Sequence, residues 1–94
     1  MQKLIDIVGK YLLLVTEPFI KNPGAAELRV ATSPEGDLVR FRLILEQEDV
    51  AHVIGRNGMT ASAIRSLAKS VGERYDIRVV VHVLSKEEAA EQAS

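Results

Sequence analysis

The residues with most chemical content in this 94-residue chain are Gly55-Arg56-Asn57-Gly58, two glycines bracketing a guanidinium and an amide. Val53 and Ile54 precede them. Met59-Thr60-Ala61-Ser62-Ala63-Ile64-Arg65-Ser66-Leu67 follows, with apolar residues at helical spacing. The pattern predicts a short helix, a loop of four residues and a second helix. Gly55 can take a left-handed cap conformation without a Cβ penalty, and Gly58 lets backbone approach a phosphate or another chain closely. Neither residue between them is acidic. Loop amides, the N-terminus of the second helix and the Arg56 guanidinium would form a small electropositive corner suited to a sugar-phosphate backbone. Asn57 tolerates a left-handed backbone, which is compatible with that role.

Other candidate contacts follow from helical spacing. Arg65 and Lys69 share a stripe with Ser62 that starts beside the loop, so they are either phosphate contacts or a solvated face. Val50, Ile54 and Met59 flank the loop as apolar surface, although Ile54 is equally suited to the core. His52 has Asp49 three residues before it but no nucleophile in reach of the pattern, so it reads as a surface residue and no catalytic residue is assigned.

The run Val53-Ile54-Gly55-Arg56-Asn57-Gly58, with its following helix, resembles the KH domain, whose signature is Val-Ile-Gly-x-x-Gly before an apolar helix. Ala61 departs from the isoleucine that the pattern prefers, and Ile64 restores it. In KH domains the GxxG loop clamps about four single-stranded nucleotides by their backbone while apolar groove residues receive bases. The resemblance therefore implies RNA binding through Val50, Ile54, Gly55, Arg56, Asn57, Gly58 and Met59, with Arg65 and Lys69 as further phosphate contacts.

Composition narrows the alternatives. A length of 94 residues allows one domain, 1–94, with a compact core. The 47% hydrophobic and 27% charged content is that of a globular chain. There is no cysteine, so a disulfide framework and a thiolate metal site are excluded, and two histidines make a zinc site a poor expectation. No cofactor is expected: neither a Walker loop, a dinucleotide fingerprint nor a nucleophile-base pair is found. Asp6, Lys10 and Glu17 interrupt the N-terminal apolar region, so neither a membrane span nor a signal peptide is expected, and the expected location is cytoplasmic. Net charge is −1, which argues against binding nucleic acid by bulk electrostatics. The balance is uneven, however. Between Val53 and Arg74 the bases Arg56, Arg65, Lys69 and Arg74 face only Glu73. Tyr11, Phe19, Phe41 and Tyr75 are too few to stack bases in series, which counts against a strand-coating protein.

In chain order, apolar spacing predicts a helix from about Lys3 to Ile20 with an irregularity at Pro18, stopped by Asn22-Pro23-Gly24. Its surplus leucines at 12–14 suit either one broad buried side or a second subunit. Glu27–Ala31 and Val39–Leu43 alternate with period two around the turn residues Pro34-Glu35-Gly36-Asp37, predicting antiparallel strands. A short helix is expected over Glu48–Ile54, with Glu48 and Asp49 complementing its dipole. The helix after the loop, about Met59 to Glu73, would bury Ala61, Ile64, Leu67, Ala68 and Val71. Ile77–Leu84 reads as a third strand, inward at Ile77, Val79, Val81 and Val83. Residues 85–94 favour helix but show no apolar face, so a frayed helix or disordered tail is expected.

The result is an α+β single domain in the order α-β-β-α-α-β, core about 4–84, with a three-stranded sheet and helices packed on one face. That order is what type II KH domains have. The chain is most similar to the small stand-alone bacterial KH proteins of the KhpA family, although Ala51 stands where that family usually has glycine. The resemblance implies a non-enzymatic RNA-binding protein that acts in post-transcriptional regulation or as an RNA chaperone, and that partners single-stranded RNA. It also implies a homodimer or a heteromer with a larger KH-containing protein. The rival reading is a dimerisation or scaffold module with little RNA binding of its own. Strand parity adds one expectation independent of any family: Arg40, Arg42 and Arg78, joined by Arg29, emerge on the sheet face away from the helices, with Val80 and His82.

Overall fold

A computed structural model describes residues 1–93, so Ser94, the last residue of the expected tail, lies outside it. The first helix, α1, spans Gln2–Thr16 and stops short of Ile20. Pro18 has no N–H to continue the ladder, so Glu17–Phe19 tightens into a 3-10 turn. The Thr16 hydroxyl donates to the Leu12 carbonyl at 2.6 Å within the last turn of α1.

Strands β1 (Glu27–Thr32) and β2 (Leu38–Leu45) pair antiparallel, with Arg29 opposite Arg42 and Val30 opposite Phe41. Helix α2 (Gln47–Ile54), the glycine loop and helix α3 (Met59–Arg74) then carry the chain to β3 (Arg78–Ser85). This crossover brings β3 in parallel to β2, with Phe41 opposite Val81 and Arg40 opposite Val80. The sheet is therefore mixed, in the order β1-β2-β3. Ile77 precedes β3 in the turn after the left-handed Asp76 and is half-buried against the core.

The core lies between one sheet face and three helices. Val39, Phe41 and Leu43 of β2 and Val79 and Val81 of β3 meet Leu4, Val8 and Leu12 of α1, Val53 of α2, and Ile64 and Ala68 of α3. Each such large side chain contributes about 1.5–3 kcal/mol by leaving water. The Tyr11 hydroxyl donates to the Ile64 carbonyl at 3.2 Å, tying α1 to α3, and burial raises the pKa of the phenol.

Two features differ from the sequence reading. Leu67 is 58% exposed, because α3 presents Ala61, Ile64, Ala68 and Gly72 to the sheet instead. Gly72 explains the rotation: a Cβ there would stand 2.5 Å from the Ile77 carbonyl oxygen and from Val79 Cγ2, so only glycine lets α3 lie this close to β3. The second difference is α4 (Lys86–Ala93). Ser85 and Glu88 form a reciprocal cap, Glu88 N–H to Ser85 Oγ at 3.1 Å and Ser85 N–H to Glu88 Oε1 at 3.0 Å. Lys86 Nζ lies 3.3 Å from Glu46 Oε1. Ala89 and Ala90 supply a small face that sequence periodicity did not register, and it rests against one end of the otherwise open sheet face beside Ile44. Ile44 and Leu84 are buried there as a result.

Candidate nucleic-acid interface

The loop is positioned from both sides. Val53 is wholly buried and fixes the end of α2, while Ala61 and Ile64 seat the first turns of α3 on the core. Between them the chain reverses through positive φ at three residues: Gly55 (φ 75°), Asn57 (φ 56°) and Gly58 (φ 73°). Gly55 combines this φ with an extended ψ of −178°, a region that belongs to glycine alone. A Cβ on Gly55 would also collide with the Thr60 side chain, its Cβ only 2.8 Å away. Asn57 takes the left-handed conformation its side chain tolerates, which turns both central residues outward. Arg56 and Asn57 are exposed.

The electrostatics of this corner are open. No side chain caps the N-terminus of α3, whose first amide, Met59 N–H, donates to the Arg56 carbonyl within the loop. Among the described residues, Arg56 and Lys69 make no ion pair. Arg65 donates its Nε–H to the Val81 carbonyl at 3.2 Å, which lays the guanidinium across the outer edge of β3. Ser62, Arg65, Ser66 and Lys69 of α3 then face Arg78–Val81 of β3 across a surface groove of about 340 Å³. The groove begins at Ser62, in the first turn of α3, and has basic residues on both walls.

The remaining sequence candidates are placed unevenly. Met59 is 68% exposed at the start of α3, and Ile54 is half-buried against the core. Val50 is only 6% exposed and belongs to the core, so it supports α2 from beneath rather than presenting surface. His52 is exposed. Among the described residues no group of three or more His, Asp or Glu side chains is arranged to hold a metal ion, and no helix is long and apolar enough to cross a membrane.

Asp49 is a residue whose role the sequence reading understated. Its side chain is fully buried and accepts the backbone N–H of Lys21 at Oδ1 and of Asn22 at Oδ2, both at 3.0 Å. It therefore ties the connection between α1 and β1 to the helix that leads into the loop. The Lys21 N–H is the main cause holding this carboxyl below the usual Asp range. Burial opposes it, and the Asn22 hydrogen bonds and the nearby His52 assist. The only sequence signal was an acid on a short helix, whose partners lie 27 and 28 positions away.

The model of the KhpA/KhpB KH domain matches residues 10–83, which includes β2, the loop with its two flanking helices, and β3 as far as Val83. This chain belongs to the KhpA/KhpB KH-domain family. The RNA-binding protein KhpA of Streptococcus pneumoniae is 35% identical over 78 residues, covering 82% of this chain and 96% of that protein. Its namesake in Listeria monocytogenes is 31% identical over 74 residues, 78% of this chain and 93% of the relative. That of Caldanaerobacter subterraneus is 26% identical over 77 residues, 82% of this chain and the whole of the relative. Membership in the KhpA/KhpB family accords with the parallel pairing of the two strands that flank the helix-loop-helix.

Proposed function

We propose that this protein is a non-enzymatic RNA-binding module that grips a short single strand through the Gly55–Gly58 loop. The observation that carries the reading is the loop itself: positive φ at three of its four residues, an α3 N-terminus without a side-chain cap and an exposed Arg56, all at one corner. Phosphate oxygens are the acceptors that such donors fit. Membership in a family whose relatives are named RNA-binding proteins supports RNA as the ligand. Within this reading Met59 and Ile54 offer apolar contact to bases, while Arg65 and Lys69 extend the phosphate track along α3. The cellular role would be post-transcriptional regulation or RNA chaperoning in the cytoplasm.

Replacing Arg56 and Asn57 together by Asp tests the site. Two carboxylates would repel phosphate, yet both positions are exposed, where substitution usually changes stability by about 0.5 kcal/mol or less, and Asp, like Asn, tolerates the left-handed backbone at position 57. Fluorescence anisotropy with a short RNA should show binding lost, with the thermal melt retained. A folded double variant that binds as the parent does would remove the loop from the interface.

A second reading has its own observation. Leu14 is 73% exposed and Leu13 48% on α1, and Leu67 adds to the uncovered apolar surface on α3. These side chains suit an assembly, either a homodimer or a heteromer with a larger KH-containing protein. In that case the module is a dimerisation or scaffold element as well as, or instead of, an RNA grip. Sedimentation of Leu13→Ser with Leu14→Ser tests it, because an unchanged association state would discard these leucines as the contact.

A further inference from the structure

We propose that the arginine-bearing face of the sheet is a second polyanion surface, over which the backbone of a longer single-stranded RNA continues after leaving the loop. The inference rests on the reading that the Gly55–Gly58 loop holds RNA, and it concerns a face on the other side of the sheet from the core.

Register alone builds the array. Arg29, Arg42 and His82 stand side by side in one row across the three strands, and Ala31, Arg40 and Val80 in the next. Arg78 follows beside Leu38. All have the parity opposite to the buried Val39, Phe41 and Leu43, so they point away from the helices. Arg40 and Arg42 are two residues apart on one strand, a separation of about 6.7 Å.

The charge of this face is only partly neutralised. Glu27 is the one acidic residue with the same parity on the three strands, and it is paired with Arg29 at the end covered by α4. Glu88 is engaged in the Ser85 cap. Among the described residues Arg40, Arg42 and Arg78 have no ion-pair partner, and Arg40 Nε is buried without any hydrogen-bond acceptor. His82 registers the crowding of cations: burial first, and then Arg40, Arg42 and Arg65, keep its imidazole pKa below the ordinary value.

The face is continuous with the candidate interface. Arg78 and Val80 line the groove that Arg65 and Lys69 line from α3. Arg65, on the helix that begins at the loop, is close enough for its charge to bear on His82, on the outward face of β3. Asp37, Glu73 and Asp76 line the surface beyond Lys69 and Arg78, so a strand running from the loop along α3 passes round the edge strand β3 before them, at Arg65 and Val80, onto the arginine rows.

Phosphate fits this face better than a protein does. Protein interfaces are organised around desolvated aromatic or aliphatic anchors. The exposed large apolar residues, such as Leu14, Val30 and Leu67, lie elsewhere, and Ile44 and Leu84 are closed off beneath α4. What remains outward is guanidinium, imidazole, Ala31, Val80 and the half-buried Leu38.

The test compares Arg40→Ser with Arg42→Ser against the parent, using one single strand of about four nucleotides, enough for the loop grip, and one several times longer. The short strand should bind unchanged. The long strand should bind several-fold more weakly, with a log-log salt slope flatter by about 1.4, the share of two phosphate contacts on a single strand. In the parent, the His82 imidazole should titrate at higher pH when the long strand is bound and not when the short one is. Because Arg40 is partly buried, Arg42→Ser alone is a second variant with less risk to folding, expected to spare the short strand and to flatten the long-strand salt slope by about 0.7. Equal long-strand affinity in folded variants and parent would overturn the proposal. Loss of poly-glutamate binding in the variants with long-strand binding intact would overturn it in favour of an acidic protein partner. Short-strand binding that survives Arg56→Asp with Asn57→Asp would instead sink the loop reading, so the two failures are distinguishable.

Discussion

Asp49 demonstrates how one side chain can act on a site it never touches. A carboxylate accepting two backbone N–H groups from the segment after α1 holds α2 in place, and α2 delivers Gly55 to the loop. Its carboxyl is held below the usual value, so the folded state binds its proton less readily than the unfolded chain does. The stabilisation is therefore complete above the unfolded pKa of about 3.9 and fades as pH falls through the lower folded value. Asp49→Asn should lower the urea midpoint at pH 7, and the gap between variant and parent should close below about pH 4. A gap that stays constant from pH 7 to pH 3 would mean that charge on Asp49 contributes nothing. At this scale the sequence was legible where local backbone chemistry decides the outcome. Gly55, Asn57 and Gly58 take the positive φ values their types allow. The anchoring by Asp49 was not legible, because acceptor and donors are brought together only when the turn that follows α1 packs against α2.

The elements followed their patterns closely where period and burial agree. The β2 residues Val39, Phe41 and Leu43 face inward as alternation predicts, and α3 begins at Met59. Periodicity misplaced Leu67 because it identifies an apolar stripe without knowing how near the partner lies. Gly72 sets that distance, since α3 can rest on β3 only where a Cβ is missing. Gly72→Ala should consequently destabilise. Helix propensity favours Ala by about 1 kcal/mol, but overpacking against a backbone carbonyl and Val79 costs about 1–3 kcal/mol or more. Contacts at 2.5 Å put the cost at the upper end of that range, so the net loss should be about 1–2 kcal/mol, seen as a melting temperature lower by roughly 4–16 °C in a domain this small. An unchanged or raised melting temperature would show that α3 can move away freely. The sequence reading allowed a frayed helix after Ser85, and it missed the capping and seating of α4 for a different reason. Its signals, a Ser85-x-x-Glu88 box and two alanines, are short-range and small, and they matter because Ile44 and Leu84 need a cover.

For the whole molecule, the question is how a chain with net charge −1 holds a polyanion. Segregation answers it: α4, which carries Glu87, Glu88 and Glu91, covers one end of the sheet with its alanines, while Arg56, Arg65 and Lys69 lie along the loop and α3, and Arg40, Arg42 and Arg78 on the open face. Affinity should then track how much of this surface a strand reaches rather than total charge. A strand confined to the loop, Arg65 and Lys69 makes about two to three phosphate contacts, which gives a log-log salt slope of roughly −1.5 to −2 on a single strand. A strand long enough to reach Arg40 and Arg42 adds two contacts and should steepen the slope to about −3. Titrations from low to physiological salt with the two lengths measure both values. A slope near −5 for the short strand would mean that the loop corner is a minor part of the surface, and equal slopes for the two lengths would confine the RNA to α3.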